Sequence, residues 1–185
     1  MKKTIETHRL ILRHFELNDA ANMYEYLAEP NVNCFKDMKI NSVHEAEQVI
    51  QKRIDNAKSE IYFAICLKDT GKVIGEIFAC ADEREEDTFS PCWMLNEKFQ
   101  KQGYAYEAVA AFFDFLFNEN SVRRIYIYTE DYNIHCQKLC EKLGMRREGL
   151  FMEFVSFVNN SDGTPKYENT YQYAILKKEW LKNSL

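Results

Sequence analysis

At 185 residues and 21.9 kDa, the chain is long enough to bury one real hydrophobic core. Its 46% hydrophobic and 14% aromatic content is far from a disordered composition, and a net charge of −5 argues against a nucleic-acid partner. No apolar run approaches the ~20 residues of a membrane span, and Glu6, His8 and Arg9 stand where a signal sequence would be apolar, so a cytoplasmic protein with no membrane partner is expected.

The six cysteines (34, 66, 80, 92, 136 and 140) contain no C-x-x-C pair, and the four histidines are scattered. Reduced thiols and no metal site are therefore expected.

Glu6 to Phe15 reads as a first strand, with Leu10 and Leu12 alternating against Ile11 and Arg13. Asn18-Asp19 is a capping signal for a short helix, Ala20 to Leu27, that ends before Pro30. Ser42 and Glu45 have the spacing of a capping box, which starts a helix over 43–57. These two helices are expected to wall or lid a pocket. Strands follow over Ile61–Leu67 and Lys72–Ala81, joined at the hairpin signal Asp69-Thr70-Gly71-Lys72. Asp82 to Asp87 is a mainly acidic loop, read as a solvated turn, and Thr88 to Leu95 is the next strand.

From Tyr104 to Asn118 apolar residues recur at three and four: Ala105, Ala108, Val109, Phe112, Phe113 and Leu116. That stripe packs a helix on a sheet. Arg124–Thr129 alternates as a strand, so a βαβ unit with two parallel strands is expected. A helix from Asn133 to Leu143 buries Cys136, Leu139, Cys140 and Leu143, with Gly144 at its end. Two strands, Phe151–Val158 and Thr170–Leu176, close the chain. The order describes an α/β (α+β) fold forming one domain over 1–185. Its mixed, mostly antiparallel twisted sheet has about seven strands, flanked by about four helices, with one parallel crossover.

The chemistry gathers at Gln100-Lys101-Gln102-Gly103-Tyr104-Ala105, where a polar loop becomes the long helix. A first helical turn leaves backbone N–H groups unpaired and carries about half a positive charge, and glycine allows close approach of a ligand. Strand, loop, glycine and helix in that order suit a phosphate. In an open sheet, ligands favour the crevice at the carboxyl ends of diverging strands, here between 88–95 and 124–129.

Gln100-x-x-Gly103-x-Ala105 resembles the Q/R-x-x-G-x-G/A signature of the GCN5-related N-acetyltransferase (GNAT) superfamily. Asn133-Ile134-His135-Cys136, continuing to Glu141-Lys142-Leu143-Gly144-Met145, resembles its N-x-x-S-x-x-x-x-E-K-x-G-F segment. The opening Thr7-His8-Arg9-Leu10 and the closing Tyr173-Ala174-Ile175-Leu176 resemble the ribosomal-protein N-terminal acetyltransferase branch. The resemblance implies a V-shaped cleft for acetyl-CoA and acetyl transfer, within a ternary complex, to a primary amine, either a protein N-terminus or a small molecule. It implies that amides of Gln100, Lys101, Gln102, Gly103, Tyr104 and Ala105 hold the pyrophosphate. The backbone of Met94 and Leu95 would pair the pantetheine arm, and Asn133 would bond the cofactor near its thioester.

Where relatives place a serine or tyrosine to protonate the departing thiolate, this chain has Cys136 and Cys140. Cys136 is thus a candidate acid. Glu76 and Glu130 are the candidate bases, with a slight lean to Glu76. A homodimer is a further expectation, by likeness to relatives. Two other readings stand beside this one. A catalytically weak acyl-CoA-binding module would keep the groove. A cysteine hydrolase on adjacent His135 and Cys136 is disfavoured because helix neighbours point about 100° apart.

Overall fold

A computed structural model describes residues 4–57 and 61–183. The strands are β1 (Ile5–Glu6), β2 (Leu10–Arg13), β3 (Ile61–Leu67), β4 (Val73–Ala81), β5 (Thr88–Leu95), β6 (Arg124–Glu130), β7 (Arg146–Asn159) and β8 (Pro165–Leu176). The α-helices among the described residues are α1 (Ala20–Leu27), α2 (Val43–Asn56), α3 (Tyr104–Glu119), α4 (Ile134–Lys142) and α5 (Lys177–Asn183).

One continuous sheet runs in the order β1-β2-β3-β4-β5-β6-β8-β7. All neighbours are antiparallel except β5 and β6, which are parallel. The sheet has one strand more than the expected seven because the first divides. Thr7 folds the chain back by donating its backbone N–H to the Leu10 carbonyl at 2.9 Å, so β1 and β2 form a hairpin. The closing strands also begin earlier than expected, at Arg146 and Pro165. Their early residues are charged and largely exposed, so hydrophobic alternation does not mark them.

The Ser42 hydroxyl accepts from the Glu45 N–H at 3.1 Å, as the capping signal requires, and the Glu45 carboxylate returns to the Asn41 N–H at 2.8 Å. On one face of the sheet, Phe112, Phe113 and Leu116 of α3 pack against Leu10, Leu12, Phe63, Ile65 and Ile77. On the other, Met23, Tyr26 and Leu27 of α1 and Ile50 of α2 cover Ala64, Cys66, Val73 and Met94. Among the described residues no helix is long and apolar enough to cross a membrane.

Candidate active site

β5 and β6 pair at two positions only, Thr88 with Arg124 and Phe89 with Ile125. Both strands continue for several residues beyond this point, so they part toward their carboxyl ends and open a split in the sheet. β5 remains paired with β4 up to Leu95, leaving its other edge turned to the split over Cys92–Leu95. A strand edge of this kind offers unpaired N–H and C=O groups to an extended ligand. Gly75 lets the end of β5 lie where it does. A Cβ there would stand 2.1 Å from the Met94 carbonyl oxygen, so only glycine fits.

The loop after β5 rises at one lip of the split. Lys101 (φ 60°) and Gly103 (φ 85°) both have left-handed backbone, and α3 begins directly after Gly103. Curled backbone feeding a helix N-terminus makes an anion-binding concavity of N–H groups. The Gln100 side chain donates to the Leu95 carbonyl at 3.2 Å and ties the loop to the strand.

Arg9, known from the sequence only as part of the opening Thr7–Leu10 segment, and Glu107, which carries no local signal, brace this loop. Glu107 accepts from the Arg9 backbone N–H (2.6 Å), the Arg9 Nε (2.7 Å) and the Thr7 hydroxyl (2.6 Å). Arg9 donates onward to the Gln102 carbonyl at 3.0 Å and lies over the Tyr104 ring at 4.3 Å. A guanidinium thus stands at the rim of the loop, adding positive charge beside Lys98 and Lys101.

The carboxyl end of β6 forms the opposite lip. Asn133 caps α4 by accepting from the Cys136 N–H at 3.2 Å, which commits its oxygen and leaves its amide nitrogen as a donor. Cys136 follows one turn in, partly buried, with the Cys140 thiol donating to its sulfur. That hydrogen bond outweighs burial and holds Cys136 below the ordinary thiol range. The same contact and burial push Cys140 far above it.

Glu130, the last residue of β6, is 5% exposed. The Cys34 thiol, from the turn between α1 and α2, donates to its carboxylate. Burial and then the Glu130 charge raise that thiol well above its usual value. Burial likewise pushes Cys92 on β5 up to about 12, with Glu76 and Cys136 adding to the rise. Cys34, Cys92, Cys136 and Glu130 therefore converge on the mouth of the split.

Glu76 lies deeper on the face covered by α1 and α2, fully buried and opposite Met94 in register. It accepts from the Tyr62 hydroxyl (2.8 Å), the Tyr26 hydroxyl (3.2 Å) and Arg53 (3.3 Å). Burial raises its pKa against the lowering pull of Arg53 and Tyr26. Glu76 and Glu130 are thus on either side of β5 and do not meet.

The acidic loop is less free than a solvated turn. Asp87 pairs with Arg123 at 2.7 Å, and Asp82 accepts from the Tyr126 hydroxyl at 3.0 Å. Beside them a concavity of about 290 Å3 is bounded by the acidic Asp82 and Glu85, the basic Arg123 and Arg124, and Thr88, Tyr126, Tyr128 and Gln172. Among the described residues no group of three or more His, Cys, Asp or Glu is placed to hold a metal.

A split parallel pair with a glycine-led helix at its lip defines an acetyltransferase of the GNAT class, and residues 9–146 match the family described as acetyltransferase (GNAT) domain. The chain belongs to that family, whose members use acetyl-CoA as co-substrate. It is similar to the N-acetyltransferase YnaD of Bacillus subtilis (strain 168), 32% identical over 95% of this chain and 98% of that protein. Among solved structures it resembles a GNAT-family acetyltransferase from Bacillus anthracis, with TM-score 0.82 and 27% identity over 96% of this chain and 100% of that one. It shares its fold with the ribosomal-protein-S5-alanine acetyltransferase from Vibrio fischeri, at TM-score 0.75 and 17% identity over 96% and 98% of the two chains.

Proposed function

We propose that this acetyltransferase moves the acetyl group of acetyl-CoA to a primary amine by direct transfer, the residues of 1–185 acting as one domain. The observation that carries the reading is the two-position pairing of β5 with β6, which leaves an open strand edge leading to a concavity of N–H groups. Backbone amides from Lys101 to Ala105, with Arg9 at the rim, hold the pyrophosphate, while the Gln100 N–H is committed to the Glu97 carbonyl at 3.1 Å. Met94 and Leu95 pair the pantetheine arm as an added strand would. The amide nitrogen of Asn133 donates near the thioester.

The acceptor enters from the face carrying Glu130, opposite α3. Glu130 takes a proton from the amine nitrogen as the N–C bond forms, and a strand-end amide near Met94 or Leu95 stabilises the carbonyl oxygen as charge develops. The C–S bond then breaks, and Cys136 gives its proton to the departing thiolate. A thiol held below its ordinary range is the better donor for that step. Proximity of Glu130 to Cys136 allows the captured proton to return to the sulfur, which closes the cycle. Glu76 is the second candidate base, since a raised pKa suits the task.

Acetyl-CoA at about a hundred times its dissociation constant should stabilise the protein by ~2.7 kcal/mol. Mass spectrometry should then find N-acetylated product in a panel of primary amines. Absence of any thermal shift at millimolar acetyl-CoA would sink the reading.

A further inference from the structure

Glu130 stands at the mouth of the split, and the fold brings a second carboxylate beside it. Glu130 on β6 lies directly opposite Thr170 on β8, and Glu168 is two residues further along β8 on the same face. Strand geometry sets the two glutamate backbones about 8 Å apart. Both are 5% exposed, and neither has a Lys, Arg or His ion-pair partner among the described residues. Glu168 is held by neutral donors only, the Asn33 amide at 2.6 Å and the Tyr132 hydroxyl at 3.1 Å. Between the carboxylates the Thr170 hydroxyl, 3% exposed, has no hydrogen-bond partner.

Burying a carboxylate without a cation is costly, and a clamp on Asn33 and Tyr132 needs only a neutral amide. A pair of such carboxylates with an unused hydroxyl between them is a receptor for positive charge. The reacting amine accounts for only one of them, because it must lose its proton to attack. We propose that Glu168, with Thr170, is a specificity subsite that selects acceptors carrying a second ammonium group a short alkyl chain away from the reacting amine.

This proposal rests on the acetyltransferase reading and names its acceptor class, a short diamine. Glu168 pairs the ammonium that does not react, and the Thr170 hydroxyl accepts a hydrogen bond from it. The alkyl chain runs along the shared face of β6 and β8 between Glu130 and Glu168, past the Thr170 side chain.

The test compares diaminobutane with butylamine, by calorimetric binding and by acetylation, in the native protein, Glu168→Gln and Thr170→Val. The native protein should prefer diaminobutane by about tenfold or more, the weight of one hydrogen bond to a charged group. Glu168→Gln should remove most of that preference by weakening diaminobutane while leaving butylamine unchanged. Thr170→Val, which touches neither the Asn33 nor the Tyr132 bond, should lower it in part. Equal use of the two amines by the native protein would overturn the proposal, as would a preference that survives both substitutions. Acetyl-CoA binding followed in the same samples keeps the two readings apart. Acetylation of both amines without preference defeats only the subsite, whereas diamine preference without acetyl-CoA binding defeats only the transferase reading.

Discussion

Glu107 accepts from both the backbone N–H and the guanidinium of Arg9, at 2.6 and 2.7 Å, so the first turn of α3 is pinned to a hairpin 98 residues earlier in the chain. The Gly103 loop lies between these partners, and its geometry depends on them. Glu107→Ala strands the Thr7 hydroxyl and the Arg9 N–H together. It should cost about 1–3 kcal/mol of stability and weaken acetyl-CoA by about tenfold, with kcat little changed. Denaturant unfolding and calorimetry check both.

Burial alone would raise the Glu107 pKa, but the hydrogen bonds from Thr7 and Arg9 prevail and lower it. A depressed carboxyl contributes stability above its unfolded value near 4.3, and that contribution is lost as pH falls through the folded value. Native protein should therefore lose stability more steeply than Glu107→Gln below about pH 4. Parallel acid titrations followed by circular dichroism would reveal the difference, and identical slopes would refute it.

Gly75→Ala attacks the opposite wall of the cleft. With the Met94 carbonyl 2.1 Å from the new Cβ, the end of β5 must move. A cost of about 1–3 kcal/mol is expected, together with weaker acetyl-CoA binding, because Met94 and Leu95 form the edge that receives the pantetheine arm. Unchanged affinity in the folded variant would remove that edge from the binding site.

The legible part of this site was the part written in consecutive residues. The Gly103 loop, the Asn133 cap and the α3 stripe are local patterns, fixed by backbone preference and helical period, and the structure has them at those residues. The brace between Arg9 and Glu107 spans most of the chain, and no local periodicity encodes it. Cys34 reaches Glu130, and Asn33 reaches Glu168, only because the turn over Asn33–Met38 folds onto the sheet, a tertiary outcome in a stretch that has no hydrophobic pattern. The break between β1 and β2 was hidden because Thr7, whose bonds turn the chain, is also a good strand residue.

Cys136 acts as an acid only while protonated, so kcat should fall as pH rises through its thiol pKa, which lies below the usual value near 8.5. Cys136→Ser should move that alkaline limb upward. Cys136→Ala should lower kcat by about 100-fold while leaving the acetyl-CoA KM unchanged. A pH profile insensitive to both substitutions would assign the sulfur to packing.

The two candidate bases separate cleanly. Glu76→Gln leaves Arg53 buried against Tyr62 without its charge partner, which should cost roughly 3 kcal/mol of stability. Glu130→Gln breaks no ion pair, so it should keep stability within about 1 kcal/mol and lose kcat by about 100-fold. The reverse pattern in kcat would move the base to Glu76.

The most direct measurement is amide hydrogen exchange with and without acetyl-CoA. Binding in the split should slow exchange of the N–H groups across Lys101–Ala105 and along Cys92–Leu95, while the β7–β8 hairpin is unaffected. Protection confined to other segments, or none at saturating acetyl-CoA, would contradict a cofactor held by the Gly103 loop and the open edge of β5.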